Sequence, residues 1–227
     1  MAEADAPLSG LLPWTPPRRP GLTVLDRSAP VDGGQRALQQ AILRGFATTG
    51  AAPAPDQLAE VVRPYGPELD HVMAQLVADD YLALDQAGRI RAAYPFSAVP
   101  TAHQVRIHGG PRVYAMCAID ALGMPKLLGT DLRIESTDPH TGTPVIVTFT
   151  GGTGRWTPDT AVVYSGMYAG VGPAADMCCS YLNFHADHAS ATAWAAEHPH
   201  VTGRILTQAE AVTAGEATFG PVLTAPP

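Results

Sequence analysis

Apolar residues between residues 35 and 79 recur at helical spacing in three separate stretches. The pattern predicts helices over 35–47, 56–62 and 68–79, with Pro-rich and Gly-Pro breaks between them. Alternation then predicts a strand over 81–84, a turn and a second strand over 89–91. Three helices followed by a hairpin are the order of a winged helix-turn-helix unit. We therefore expect such a unit over residues 35–95.

A second apolar stretch, Arg112–Pro125, predicts a mostly buried helix. It contains one thiol, Cys117, and one carboxylate, Asp120. Two side chains three residues apart lie on one face of a helix, so both are expected to face the same space. A carboxylate on the buried side of a helix is costly unless its surroundings require it, and this cost is the first indication of chemistry.

Beyond Gly129 the pattern changes to strands. Alternating and β-branched segments predict strands over 132–136, 144–149, 161–164, 176–184 and 203–206, and helices over 190–198 and 208–212. The fold class is therefore α+β, with the winged-helix-like unit followed by a mixed or antiparallel β domain with flanking helices. We divide the chain into a Pro-rich arm over 1–34, the unit over 35–95, and a catalytic α+β domain over 96–227 that begins with a linker, 96–110.

Charge and hydropathy exclude several functional classes. The chain has 227 residues and a formal charge of −7. Residues 35–95 carry five arginines against seven acidic residues, a net of −2, whereas DNA binding requires clustered positive charge. No apolar run is long enough to span a membrane, and the acidic start does not resemble a signal peptide. We expect no nucleic-acid or membrane partner, a cytoplasmic location and reduced thiols.

Two other motifs suggest sites and are interpreted as loops. Gly151–Gly154 lacks the Lys-Ser/Thr and the helix that a phosphate loop needs, so it is expected to connect strands. His185, Asp187 and His188 follow the last cysteines and are interpreted as a solvated loop rather than metal ligands. Trp194 is expected to have a packing role rather than a role in a functional site.

The three cysteines are Cys117, Cys178 and Cys179. Neighbours on a strand point to opposite faces, so only one of Cys178 and Cys179 can face the helix. A candidate site thus combines Cys117, Asp120 and one thiol of the pair. Two thiols without histidine suit a soft metal of low coordination better than zinc. Alternatively, all three cysteines are small core residues, since free cysteine is often buried.

The sequence resembles the alkylmercury lyase (organomercurial lyase, MerB) family. The resemblance rests on RVYAMCAIDALGMPKLLG at 112–129, TGTPV at 141–145, and the Cys178–Cys179 pair before the helix that contains Trp194. It implies that Cys117 and Cys178 are the two catalytic cysteines and also the mercury ligands, and that Asp120 is the catalytic aspartate and a third contact to mercury. Cys179 would then be the non-essential neighbour.

The resemblance implies protonolysis of a carbon–mercury bond, with an organomercurial substrate and a hydrocarbon and Hg(II) as products. No cofactor is implied, and low-molecular-weight thiols or a mercuric reductase would accept the Hg(II). Two alternatives remain: a non-catalytic protein that binds soft metal, or an enzyme of this fold with another organic substrate. The sequence departs from the family at Asp138, where many members have a cysteine, and at Met116, where an aromatic residue is common.

Overall fold

The structure is a computed structural model that describes residues 33–168, 174–220 and 222–223. Residues 1–32 of the expected N-terminal arm lie outside this range. So do residues 169–173, 221 and 224–227.

Three helices open the described chain: α1 (Gly33–Thr49), α2 (Pro55–Val62) and α3 (Leu69–Ala78). Each agrees with a predicted helix. The apolar stripe of α1 is fully buried at Leu38, Ile42, Leu43 and Phe46. This stripe packs on α2, α3 and the following hairpin, so the three helices share one core with the rest of the chain.

Within the described residues, eight strands form one antiparallel sheet in the order β1-β2-β3-β5-β4-β6-β7-β8. The strands are β1 (Leu82–Leu84), β2 (Ile90–Ala93), β3 (Phe96–Ser97), β4 (Gln104–Ile107), β5 (Arg112–Ala115), β6 (Leu132–Thr137), β7 (Pro144–Thr150) and β8 (Thr153–Thr157). The first hairpin is thus continuous with the sheet that follows it.

A second antiparallel sheet has the order β10-β9-β11. Its strands are β9 (Val162–Tyr168), β10 (Leu182–His185) and β11 (Val201–Leu206). The remaining helices are α4 (Ala118–Leu128), α5 (Ala174–Met177), α6 (His188–Glu197) and α7 (Gln208–Phe219). Antiparallel sheets with flanking helices confirm the α+β class. None of the helices in the described ranges is long and apolar enough to cross a membrane.

Two expected elements before Gly129 have a different form. The segment 96–110, interpreted as a linker, contains β3 and β4, which are too short to show a clear period. The segment Arg112–Pro125 is not one helix: Arg112–Ala115 forms β5, and α4 begins only at Ala118. The β5 side chains alternate between solvent-facing and buried positions, with Arg112 exposed, Tyr114 half-buried, and Val113 and Ala115 buried. The apolar run that continues into α4 concealed this strand period.

Helix α4 is buried along almost its whole length and packs closely against α7. The two helix backbones lie close together at two glycines, Gly123 and Gly215. A Cβ atom on Gly123 would lie 2.6 Å from the Gly215 carbonyl oxygen, and one on Gly215 would lie 2.6 Å from the Gly123 nitrogen. The absence of side chains at both positions therefore allows the two backbones to touch and fixes the position of α4.

Candidate active site

Cys117 and Asp120 lie at the start of α4, immediately after β5. Cys117 is the N-cap residue in an extended conformation (φ −153°, ψ 179°), and its Sγ accepts a hydrogen bond from the Asp120 amide over 3.4 Å. Both side chains are buried, with exposures of 3% and 4%. The expected convergence of these two residues is present, although Cys117 reaches it as a helix cap rather than from within a helix. The positive end of the helix dipole favours a thiolate at this position, but burial outweighs this effect and raises the pKa of the Cys117 thiol.

Cys179 completes the cluster. Its Sγ lies 3.9 Å from Oδ2 of Asp120. The Sγ atoms of Cys117 and Cys179 and a carboxylate oxygen of Asp120 all lie within 4.8 Å of one another, and all three residues are buried. These ligand atoms are therefore close enough together to contact one ion.

The sequence had suggested that the cysteine pair lies on a strand, but the structure places it elsewhere. Cys178 follows the short helix α5, and Cys179 begins a 3-10 turn (Cys179–Tyr181) that leads into β10. Strand alternation therefore does not decide which thiol faces α4. Sγ of Cys178 donates to the Ala174 carbonyl oxygen over 3.4 Å, whereas Cys179 points to Asp120. The expectation that Cys179 points away from the site is wrong in this geometry, while the catalytic role assigned to Cys178 stays a prediction.

Burial sets the protonation of the cluster. It raises the pKa of the Asp120 carboxyl to about 7, against the opposing effect of hydrogen bonds with Cys117 and Cys179. Burial also raises the pKa of the Cys117 thiol to about 12. Hydrogen bonds with Cys117 and with Cys178, together with burial, raise the pKa of Cys179 well above its usual value. The thiols are therefore protonated at neutral pH, and a bound cation must displace their protons.

This arrangement has a defined chemical capacity. Thiolates bind soft metal ions in preference to hard ones, and two sulfurs satisfy an ion of low coordination number. The carboxyl group titrates near neutral pH within hydrogen-bonding reach of a thiol, which is what an acid–base group requires. The cluster can therefore bind a soft metal and move a proton in the same small space.

Of the residues after the cysteine pair, Asp187 and His188 are exposed as expected, whereas His185 belongs to a separate buried network. His185 is fully buried rather than solvated, because its ring packs against Tyr164 and Trp194. Asp138 contacts it from the β6–β7 turn, with 3.4 Å between His185 Nδ1 and Asp138 Oδ1. Asp138 Oδ2 also accepts from the Ser190 hydroxyl over 2.6 Å and the Ala186 amide over 2.8 Å. Asp187 caps α6 by accepting from the Ser190 amide. This network connects two turns and takes no part in the thiol cluster.

Other predictions near the site agree with the structure. Trp194 is buried and packs against Tyr164 and His185, as expected. Gly151 and Gly152 form the turn between β7 and β8, with φ values of +56° and +80° that favour glycine. Met116, the departure next to the first cysteine, is partly buried and packs against the small apolar cluster of Ala83, Ala92 and Ala175.

Sequence reasoning missed two residues beside the cluster, Asp80 and Tyr94. Their side chains bond the first amides of α5, at Ala174 and Ala175. The sequence gives one local indication for Asp80, because this residue is the second of two consecutive aspartates and directly follows a predicted helix. Nothing in the pattern links it to a segment more than ninety residues away.

Comparison with known proteins gives consistent results. The family model for MerB, alkylmercury lyase, matches residues 96–220. The chain is 30% identical over 161 residues to an alkylmercury lyase of Staphylococcus epidermidis, covering 70% of this chain and 71% of that protein. It is also 30% identical over 156 residues to an alkylmercury lyase of Streptomyces lividans, covering 68% and 71%. A solved structure described as the mercury-bound form of MerB2 shares the fold, with a TM-score of 0.70, 24% identity and coverage of 88% and 95%.

Proposed function

Because the chain belongs to the alkylmercury lyase family, we propose that it cleaves carbon–mercury bonds by protonolysis at the thiol–carboxyl cluster. The observation that carries the proposal is the convergence of Cys117, Asp120 and Cys179 within 4.8 Å. It supports a site in which two sulfurs bind mercury and an acid lies close enough to protonate the departing carbon.

The proposed reaction exchanges bonds without a change of oxidation state. The first thiol loses its proton and binds the organomercury cation as a thiolate. The second thiol then binds the same mercury and passes its proton to Asp120. Asp120 delivers this proton to carbon as the carbon–mercury bond breaks and the hydrocarbon departs. Hg(II) remains on two thiolates. A carboxyl group whose pKa is about 7 can both accept and donate this proton at neutral pH.

The second sulfur comes from the Cys178–Cys179 pair. The geometry supports Cys179, whose Sγ is grouped with Cys117 and Asp120. The family resemblance assigns the role to Cys178, whose Sγ is bonded to the Ala174 carbonyl. The two assignments predict opposite results for the single serine variants, so activity measurements decide between them.

The remaining expectations belong to the same proposal. The substrate is a small organomercurial, and no organic cofactor takes part. Cellular thiols or a mercuric reductase accept the Hg(II), and the enzyme works in the cytoplasm. Residues 35–95 form a winged-helix-like unit with a structural role, attached to a catalytic domain over 96–227. The mercury-bound state described for the MerB2 structure supports mercury as the bound metal here.

Headspace gas chromatography tests the proposal directly. Phenylmercury with excess thiol should release benzene in the presence of the wild-type protein and not with Cys117→Ser or thiol alone. Tight binding of Hg(II) without benzene release would favour a soft-metal binding protein. Failure with both phenylmercury and methylmercury, together with weak Hg(II) binding, would favour another organic substrate.

A further inference from the structure

Two adjacent residues, Tyr94 and Pro95, contact both chain segments that carry the thiols. The Pro95 carbonyl accepts a hydrogen bond from the Met116 amide over 3.1 Å, next to Cys117. The Tyr94 hydroxyl accepts one from the Ala175 amide over 2.9 Å, in the helix that precedes Cys179. The short segment between β2 and β3 therefore lies between the two halves of the site.

Asp80 strengthens the contact with α5. Its Oδ2 accepts a hydrogen bond from the Ala174 amide over 3.1 Å, and its Oδ1 lies 3.3 Å from the Tyr94 hydroxyl. Asp80 has a φ of +59°, a left-handed conformation that aspartate tolerates better than most residues. The Tyr94 hydroxyl thus donates to the Asp80 carboxylate and accepts from the backbone of α5 at once.

Two more contacts hold the same short helix. Ala175 packs in a small apolar cluster with Ala83 and Ala92 of the first hairpin, against Tyr94 and Met116. Asp176 pairs with Arg91 of β2 over 2.9 Å at the surface. A helix of four residues is too short to be stable by itself, so its position depends on these outside contacts.

We propose that Tyr94 and Asp80 are positioning residues that fix α5 and thereby hold the Cys179 thiol within reach of Cys117 and Asp120. This inference rests on the proposed function, because it assigns the two residues to the assembly of that site. It also means that the N-terminal unit helps to position α5, because Asp80 follows α3 and Tyr94 follows the first hairpin.

Differential alkylation tests this role without requiring turnover. Cysteines would be labelled with iodoacetamide in the folded protein and quantified by mass spectrometry. Tyr94→Phe removes only the hydroxyl and should raise the labelling rate of the Cys178–Cys179 peptide about tenfold, with a much smaller change at Cys117. The matched control, Tyr65→Phe, changes an exposed tyrosine after α2 and should leave both rates unchanged.

Aspartate variants provide the second arm. Asp80→Ala removes both acceptor oxygens, whereas Asp80→Asn keeps one oxygen and tolerates the same backbone conformation. Asp80→Ala should therefore match or exceed the effect of Tyr94→Phe, and Asp80→Asn should partly restore protection. If Asp80→Ala does not fold, the test uses Asp80→Asn and Tyr94→Phe, and the labelling rates of the Cys178–Cys179 peptide in these two variants are compared with the wild-type rate.

Kinetics separate positioning from general stability. If the wild type releases benzene, Tyr94→Phe should lower kcat about tenfold at saturating substrate while its melting temperature stays within a few degrees. Unchanged labelling in Tyr94→Phe would overturn the inference, and so would an equal rise at all three cysteines. Because labelling needs no organomercurial, it tests the contact with α5 even if the proposed lyase activity is absent.

Discussion

The Cys179 thiol lies 3.9 Å from the Asp120 carboxylate, although 59 residues separate them in sequence. One belongs to the buried helix α4 and the other to a turn between α5 and β10. The site is therefore assembled by tertiary packing, and its activity should be sensitive to changes in the elements that hold α4 and α5.

Replacement of Asp120 by asparagine should raise stability at alkaline pH. The carboxyl titrates near 3.8 when unfolded and near 7 when folded. Between these values the folded state keeps a proton that the unfolded chain has lost, so stability falls as pH rises. One pKa unit corresponds to about 1.4 kcal/mol, so the rise of the pKa from 3.8 to about 7 lets Asp120→Asn gain up to about 4 kcal/mol at pH 8.

Urea unfolding of both proteins at pH 4 and pH 8 measures this effect. The difference between Asp120→Asn and wild type should be small at pH 4, where both side chains are neutral in the folded state. An equal difference at both pH values would show that the Asp120 charge does not contribute.

Asp138→Asn should destabilise the protein. Burial alone would raise the pKa of Asp138, but hydrogen bonds from the Ala186 amide and the Ser190 hydroxyl hold it well below its usual range. In Asp138→Asn, the NH2 group of the new side chain would face some of these hydrogen-bond donors and could not accept from them. The expected loss of folding stability is about 2 to 4 kcal/mol. Thermal unfolding at pH 7 measures the loss.

The exposed residue Asp159 provides a control for the same chemical change, since Asp159→Asn should alter stability by less than about 0.5 kcal/mol. The contribution of the Asp138 charge is complete above the unfolded pKa near 3.8 and should be lost progressively as the pH falls below that value towards the lowered pKa of the folded state. A melting temperature of Asp138→Asn equal to wild type at pH 7 would refute the structural role.

Gly215→Ala should separate α4 from α7. The added Cβ would lie 2.6 Å from the Gly123 nitrogen and 2.8 Å from the Ile119 carbonyl oxygen, so the helices must move. The expected cost is about 1 to 3 kcal/mol, despite the better helix propensity of alanine. Calorimetry measures it. Thr213→Ala, at an exposed position of α7, should be neutral, and an equally neutral Gly215→Ala would contradict the close contact.

The spacing of residues along the chain predicted those helices and contacts that depend on residues close together in sequence. The spacing of Leu38, Ile42 and Phe46 predicted α1, and Cys117 and Asp120 were close enough in sequence to be expected in one space. The position of Cys179 was not predictable in this way, because it depends on a short helix held by contacts from Asp80 and Tyr94. Likewise, no local pattern indicates that Asp138 contacts His185 from a distant turn.

The central claim is that two thiols and one carboxyl group break the carbon–mercury bond together. Single-turnover benzene release from phenylmercury, measured in parallel for Cys117→Ser, Cys178→Ser, Cys179→Ser and Asp120→Asn, tests it most directly. The geometry predicts a rate loss of at least about 100-fold for Cys117→Ser, Cys179→Ser and Asp120→Asn. Cys178→Ser should keep most of the activity, whereas the reverse result for the pair would assign the second sulfur to Cys178. Undiminished release by Cys117→Ser or Asp120→Asn would contradict the account.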